Sequence, residues 1–171
     1  VISDDDWVSQ FDSRFGSTER QMVACCRASK ATLSDQGVEN PAPSNHLKIQ
    51  TALENEDNTN VSATANAVEG IQVIDSYLEA GNPIVVGVNH TLGKTINEGT
   101  TDHFIVIVGR GYDSEKNQNY YKFFEVGTSN KNMGTSDLNR LYQNSDNLLK
   151  GSPAFNTNKV YTVTQVRKNG T

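Results

Sequence analysis

The chain lacks several features that would assign it to a specialised class of protein. Cysteine is scarce, since Cys25 and Cys26 are the only two and they are adjacent in sequence. Neighbouring cysteines rarely form an unstrained disulfide, so no disulfide framework indicates secretion. Two cysteines and three dispersed histidines also make a poor zinc site. The sequence therefore predicts neither a disulfide-rich domain nor a zinc protein.

Long apolar runs and clustered basic charge are missing as well. The longest apolar runs, 83–88 and 104–108, have the length of strands, whereas a bilayer span needs about 20 apolar residues. The 15 Lys and Arg residues are scattered among 20 Asp and Glu residues, which gives a formal net charge of -5. A nucleic-acid surface requires clustered positive charge. We therefore expect no membrane span, no membrane-surface role and no nucleic-acid partner.

The start and the length of the chain set expectations about its processing and organisation. The chain starts at Val1, without an initiator methionine or the basic-then-apolar pattern of a signal peptide. We therefore expect a processed product whose leader is not present in this chain. Abundant Asn, Ser and Thr favour an exported bacterial protein (periplasmic, cell-surface or secreted). The 171 residues suit one domain, which we place at 1–171.

The spacing of apolar residues predicts helices in the first half of the chain and strands in the second. Helices are expected within 3–15, at about 22–34 and 46–54, and from 65 to about 80. Strands are expected at 84–88, 103–109, 120–126 and 159–166, with one more helix near 135–142. Helices followed by an antiparallel sheet are the element order of an α+β fold.

The first segment that carries chemistry places Cys25 at or near the start of a helix. Unpaired backbone N–H groups and the positive end of the helix dipole stabilise a thiolate there. The same N–H groups can hold the oxyanion that forms when a thiolate attacks a carbonyl. The structural alternative is that Cys25 and Cys26 are two small apolar residues of a buried helix.

The second and third segments supply a histidine and a carboxylate at the ends of predicted strands. His103 precedes an apolar strand that leads into Gly111-Tyr112-Asp113. Glu125 ends a strand rich in aromatic residues, and it can accept the imidazole N–H and set its tautomer. Taken singly, each residue is equally compatible with an exposed strand end. Together they predict a Cys25, His103 and Glu125 triad.

The order of these segments resembles papain-like cysteine peptidases, particularly the compact bacterial branch related to bacteriocin-leader-processing peptidases and cell-wall amidases. Three segments carry the resemblance: Cys25-Cys-Arg-Ala-Ser29, Gly81-Asn-Pro-Ile-Val-Val-Gly-Val88, and His103 through Asp113. The resemblance covers about residues 18–128 in outline. It implies a papain-like α+β fold, with N-terminal helices packed on a C-terminal antiparallel β-sheet.

The resemblance also implies roles for individual residues. Cys25 is the nucleophile, His103 the base, Glu125 the orienting residue, and Gln21 resembles the glutamine that donates to the oxyanion. Gln21 lies closer to the cysteine than in the relatives, and Glu125 stands where they usually carry Asn or Asp. Cys26 replaces the usual Gly or Trp and is an alternative nucleophile. Cys25 is preferred because it alone puts Ala28-Ser29 in the family register.

Three other polar residues compete for a place in the predicted site. His90 ends the strand before His103 and is a rival base, although it lacks the Gly-Tyr-Asp strand that follows His103. Asp102 directly precedes the proposed base and can adjust its pKa or contact substrate, or simply be exposed in a loop. Gln10 lies far upstream of Cys25, so Gln21 is preferred as the oxyanion donor.

The predicted reaction is amide hydrolysis by a cysteine peptidase or amidase, with no metal or organic cofactor. The expected substrate is a peptide or a peptidoglycan stem peptide, which suits a cell-wall enzyme, an interbacterial amidase toxin or a secreted protease. A protein inhibitor or immunity protein is a possible partner. Two other hypotheses stay open: a catalytically inactive papain-like module that binds peptides or glycans, and a surface-antigen or adhesion module of unrelated fold.

Overall fold

The computed structural model describes residues 2–35, 48–93 and 100–168. The α-helices in this part of the chain are α1 (Thr18–Gln21), α2 (Cys25–Asp35), α3 (Ala67–Glu79) and α4 (Lys131–Gly134). Of these, α1 and α4 are short. The strands are β1 (Lys48–Gln50), β2 (Ala52–Glu54), β3 (Val61–Ala63), β4 (Ile84–Asn89), β5 (His103–Asp113), β6 (Gln118–Phe124), β7 (Arg140–Gln143), β8 (Leu149–Gly151) and β9 (Tyr161–Arg167).

Six of these strands form a closed antiparallel β-barrel. Their order around the barrel is β9-β4-β5-β6-β7-β8, and β8 pairs back onto β9 through Lys150↔Thr162 and Gly151↔Tyr161. β1 adds to β9 outside the ring, while β2 and β3 form a separate hairpin. Closure removes the two free edges that an open sheet of these strands would expose.

The barrel interior is filled by alternate residues of all six strands. One cluster joins Ile84, Val86, Val88, Ile105, Ile107, Tyr121, Phe123, Leu141, Leu149, Tyr161 and Val163, and α3 adds Ile74 to it. The intervening residues point outward. Val85, Phe104, Val106 and Phe124 form a second cluster with Leu33 of α2. The apolar runs of β4 and β5 are thus buried on both faces, since α2 covers the outer one.

The predicted α+β fold, papain-like with N-terminal helices on a C-terminal sheet, is wrong. The molecule is a mostly β closed barrel with few helices. Of the helix expected at 46–54, residues 46 and 47 lie outside the described residues, and 48–54 contain β1 and β2. Residues 135–142 are not helical, since α4 ends at Gly134 and β7 begins at Arg140. The predicted sheet contained none of the strands β1, β2, β7 and β8. Of these, β7 and β8 close the barrel, because they connect β6 to β9.

The helix expected within 3–15 is also wrong, for a local reason. Its two ends form separate 3-10 turns, Asp4–Asp6 and Ser13–Phe15. The side chains of Ser3 and Asp12 each accept a hydrogen bond from a backbone N–H two residues later, which caps the two turns independently. Short polar side chains of this kind compete with a continuous helix.

Other elements lie close to their predicted positions. The helix expected from 22 to 34 is observed as α2, and the one expected from 65 to 80 is α3. The four predicted strands correspond to β4, β5, β6 and β9, and β5 extends to Asp113. In the described residues, every helix is too short or too polar to cross a lipid bilayer.

Candidate active site

Cys25 is the first residue of α2 and lies at the wall of a cleft. The Ala28 N–H donates to the Ala24 carbonyl at 2.8 Å. The N–H groups of residues 25–27 therefore lie in the first turn of the helix, where no preceding helical carbonyl is there to accept from them. The backbone N–H groups of Phe104 and Cys26 lie close enough to the Cys25 sulfur to lower the pKa of its thiol. The sulfur therefore sits among backbone donors that favour a negative charge.

His103 begins β5 and is held on one side by Glu125. Its Nε2 lies 2.6 Å from Oε1 of Glu125, which directly follows β6. Because β5 and β6 are antiparallel neighbours, the start of one lies beside the end of the other. With Nε2 bonded to Glu125, Nδ1 is the ring nitrogen of His103 that is left to interact with Cys25.

Glu125 is fully buried, and its carboxylate is saturated with hydrogen bonds. Besides His103, the Tyr161 hydroxyl donates to Oε2 at 2.6 Å and the Gly127 N–H donates to Oε1 at 2.7 Å. Burial alone raises the pKa of Glu125, but the charge of His103 and these donors outweigh it and lower the pKa. Glu125 is therefore an ionised carboxylate that keeps a proton on the imidazole.

The pKa shifts of Cys25 and His103 favour a thiolate–imidazolium pair. Burial alone raises the pKa of the Cys25 thiol, but the hydrogen bond to His103 and its charge outweigh burial, so the pKa is lowered. Burial alone lowers the pKa of His103, but the charge of Glu125 and the hydrogen bonds to Cys25 and Glu125 raise it to about 10. A lowered thiol pKa is what makes a cysteine nucleophilic near neutral pH.

Cys26 also lines the cleft, but the pKa of its thiol is shifted in the opposite direction. Burial raises its pKa, and the charges of Arg167 and Lys30 only partly offset that effect. His103 lowers the pKa of Cys25 and is not among the groups that act on Cys26. Between the two cysteines, the geometry thus favours Cys25 as the nucleophile.

The cleft beside these residues has a volume of about 620 Å³. Part of its wall is apolar. Met22 and Val23, which precede α2 in the chain, line it and are 64% and 75% exposed. The other lining residues are Gln10, Phe11, Cys25, Cys26, His90, Asp102, His103, Phe104, Gly127, Phe155, Lys159, Tyr161 and Arg167. This size is typical of a small-ligand or peptide-side-chain site.

The two candidate glutamines are placed differently from the sequence expectation. The side-chain amide of Gln21 donates to the Gly16 carbonyl at 3.0 Å, and Gln21 is not among the residues of the cleft wall. Gln10 does line the cleft, and its amide donates to the carbonyl of Gln21 at 2.9 Å. Gln10 thereby ties the N-terminal segment to the turn that precedes Cys25. Because Gln10 lies far from Cys25 in the chain, the sequence did not indicate that it lines the cleft.

His90 and Asp102 form a second histidine–carboxylate pair in the cleft. His90 Nε2 lies 3.2 Å from Asp102 Oδ1, and the backbone N–H groups of His90 and Thr91 also donate to that carboxylate. The rings of His90 and His103 are 6.1 Å apart at their centroids. The rival base predicted from the sequence is therefore close to the site but bonded to a different acid.

Two aromatic residues of the site carried no recognisable sequence signal. Tyr161 is buried at the start of β9, and its hydroxyl reaches Glu125, which lies 36 residues away in the chain. The Trp7 Nε1–H donates to the backbone carbonyl of Glu125 at 2.7 Å, from 118 residues away in the chain. Tyr161 thus holds the carboxylate of Glu125 and Trp7 holds its backbone, each from an element that is distant in sequence.

The described residues contain no group of three or more His, Cys, Asp or Glu side chains arranged to hold a metal ion. Comparisons of the chain with protein-family models, with curated proteins and with solved structures found no match. What the site can do is therefore argued from its own geometry.

Proposed function

We propose that the chain is a cysteine hydrolase that cleaves amide bonds, with Cys25 as nucleophile, His103 as base and Glu125 as the orienting acid. One observation carries this proposal. Cys25 at a helix start lines the same cleft as His103, which lowers the pKa of the thiol, and His103 is bonded to the buried Glu125 carboxylate at 2.6 Å. Nucleophile, base and orienting group in this order are the parts that acyl transfer needs.

In the proposed reaction the Cys25 thiolate attacks the amide carbonyl carbon, a C–S bond forms, and the carbonyl π electrons move to the oxygen. Collapse of this oxyanion breaks the C–N bond, while His103 Nδ1 gives its proton to the leaving amine. Water then attacks the thioester as neutral His103 takes one of its protons. The acid leaves, and the thiolate–imidazolium pair is restored.

The oxyanion has donors in the first turn of α2. The Cys25 backbone N–H lies at a helix start, where an anion is favoured by the unpaired N–H groups and the helix dipole. The oxyanion role predicted for Gln21 stays a prediction that requires its amide to leave the Gly16 carbonyl.

A peptide is the substrate class that we propose, with peptidoglycan stem peptides as a subclass. The cleft is open and lined by both apolar and charged side chains, which suits a peptide better than a small apolar ligand. An exported location and an inhibitor or immunity protein over the cleft belong to this proposal. Fractionation of the producing cells and co-purification test them.

A catalytically inactive binding module is the alternative function. The same cleft could bind a peptide without cleaving it. This alternative predicts that Cys25→Ser binds its ligand as the wild type does and that the wild type never turns the ligand over. An active hydrolase predicts that Cys25→Ser traps uncleaved substrate.

The test of the proposed function is alkylation by iodoacetamide at about pH 6, where an ordinary thiol is almost unreactive. We expect Cys25 to react at least about tenfold faster than Cys26, because only the Cys25 thiol has a lowered pKa. His103→Ala should slow Cys25 at least about tenfold by removing the imidazolium. Peptide mapping assigns each label.

Two variants make the experiment specific. Cys26→Ser leaves one thiol and should react as fast as the wild type. His90→Ala removes the other cleft histidine, and a greater slowing there than in His103→Ala would make His90 the base. Slow labelling of both cysteines, indifferent to His103, would overturn the enzyme proposal and favour the binding module.

A further inference from the structure

We propose that Arg167 recognises a carboxylate of the substrate, so that the preferred amide substrate is acidic close to its scissile bond. This inference rests on the proposed function, because it concerns the specificity of the same cleft. Arg167 ends β9, lines the cleft and is only 6% exposed. A buried guanidinium is one of the least common charged groups in proteins unless it has a partner.

The contacts of Arg167 fix its position but leave its charge unbalanced. Its Nε donates to Oε1 of Gln165 at 2.7 Å, and its guanidinium carbon lies 4.6 Å from the centroid of the Phe104 ring. Both partners are neutral. Among residues 2–35, 48–93 and 100–168, no carboxylate forms a salt bridge with it. Since Arg167 lines the cleft, its terminal nitrogens are available to a ligand that binds there.

The position of Arg167 ties it to the reacting centre. The Phe104 ring on which it stacks lines the same cleft as Cys25, and the Phe104 backbone N–H lies close enough to act on the Cys25 thiol. Arg167 is also near enough to Cys26 for its charge to act on that thiol. A carboxylate bound to Arg167 would thus lie beside the carbonyl that Cys25 attacks.

The charges of the cleft agree with an anionic ligand. Lys159 lines the same cleft, with its Nζ 5.3 Å from the centroid of the Phe155 ring. Among the described residues of the cleft wall, the one carboxylate is that of Asp102, which already accepts from His90 and from two backbone N–H groups. Arg167 and Lys159 therefore place two positively charged side chains in the cleft, although the chain carries a net charge of -5. The planar fork of an arginine matches a carboxylate with two parallel hydrogen bonds.

The first test compares two alkylating reagents that differ in one group. Iodoacetate carries a carboxylate, whereas iodoacetamide is neutral and of similar size. We expect the ratio of Cys25 alkylation rates, iodoacetate over iodoacetamide, to fall at least about fivefold in Arg167→Met, because the anion loses its partner. Arg167→Lys should recover only part of the ratio, since a lysine keeps the charge and loses the fork.

Lys30→Met is the matched control. Lys30 also acts on Cys26 through its charge, but it does not line the cleft. An equal fall of the ratio in Lys30→Met and Arg167→Met would mean that only the general field matters, and it would overturn the proposal. An unchanged ratio in Arg167→Met would overturn it as well.

A second measurement keeps the inference testable if Cys25 proves unreactive. Acetyl-glutamate methylamide and acetyl-glutamine methylamide are titrated into ¹⁵N-labelled Cys25→Ser protein and followed by NMR. We expect the glutamate compound to bind at least about fivefold tighter, with the preference lost in the Cys25→Ser, Arg167→Met double variant. Equal binding of the two compounds contradicts the carboxylate proposal. If Cys25 is alkylated slowly but the glutamate compound still binds more tightly than the glutamine compound, only the proposed hydrolase function is contradicted.

Discussion

Glu125 shows how single residues make the candidate site. Three donors from three different parts of the chain converge on its carboxylate: the His103 ring, the Tyr161 hydroxyl and the Gly127 N–H. A buried carboxylate with this many donors stays ionised, because each hydrogen bond favours the charged form. An ionised Glu125 in turn keeps His103 protonated, and a protonated His103 lowers the pKa of Cys25.

The coupling of Cys25 and His103 leads to a prediction about stability and pH. Between about pH 6.5 and 8.5 the unfolded chain carries one proton on the Cys25 thiol and none on His103. The folded ion pair also carries one proton, on His103 instead. Since both states bind the same number of protons, the pair adds no pH dependence to the wild type in this window.

Cys25→Ser should expose the titration of His103. The serine carries its proton in both states, whereas His103 keeps a raised pKa beside Glu125 in the folded state alone. Stability from His103 is therefore full below about pH 6.5 and is lost as the pH rises through the folded pKa. We expect the free energy of unfolding of Cys25→Ser to fall with rising pH more steeply than that of the wild type, measured by urea unfolding.

Cys26→Ser is the control, because it removes a thiol and leaves the pair intact. The free energy of unfolding of Cys26→Ser, plotted against pH, should run parallel to that of the wild type up to about pH 8. Parallel curves for Cys25→Ser and the wild type would mean that the resting thiol is protonated, and the proposed thiolate–imidazolium pair would be wrong.

At the scale of elements, the turn after β6 sets the distance between Glu125 and His103. A Cβ added at Gly127 would lie 2.7 Å from Oε1 of Glu125 and 3.2 Å from Cε1 of His103. The first distance is too short for a real contact, so one of the two side chains must move. A glycine is therefore required here by the close approach of the triad itself.

Gly127→Ala should lower the reactivity of Cys25 without unfolding the protein. The backbone N–H that donates to Glu125 is kept, but the methyl group displaces the carboxylate from the imidazole. We expect iodoacetamide labelling of Cys25 at about pH 6 to slow at least about fivefold, because misplacing a positioned group weakens its effect. Gly109→Ala is the matched control, since its Cβ meets nothing within 4 Å. Equal rates in all three proteins would contradict a role for this turn in positioning Glu125.

At the scale of the whole molecule, the site depends on closure of the barrel. Tyr161 reaches Glu125 from β9, and β9 is held against β8 by the pairing of Gly151 with Tyr161 itself. On its other side β8 packs closely on β7, where a Cβ at Gly151 would overlap the backbone carbonyl oxygen of Arg140. The point of closure thus includes Tyr161, one of the donors to the Glu125 carboxylate.

Gly151→Ala should destabilise the protein strongly. Backbone cannot give way as a flexible side chain does, and overpacking of this kind costs about 1–3 kcal/mol or more. We expect a loss of at least about 2 kcal/mol in urea unfolding, against a change of less than about 1 kcal/mol for Gly109→Ala. A Gly151→Ala protein as stable as the wild type would show that β7 and β8 are not packed this closely in solution.

Strong local patterns in the sequence predicted several elements. The apolar run of 84–88 and the helical stripe from Val68 to Leu78 each lie in an observed element, β4 and α3. Local residue types also pointed to Cys25, His103 and Glu125, and the structure brings these three together. Gln10 and Tyr161 could not be found in this way, because nothing near them in the chain indicates what they contact.

The sequence by itself determined which stretches are apolar enough to be buried and which residue types could perform chemistry. Only the tertiary structure decided that 48–54 and 140–143 are strands and that the sheet closes instead of lying under helices. The physical reason is that a short strand gains its stability from partners across the sheet. β7 and β8 have four and three residues, and their hydrogen bonds go to strands that local sequence does not identify.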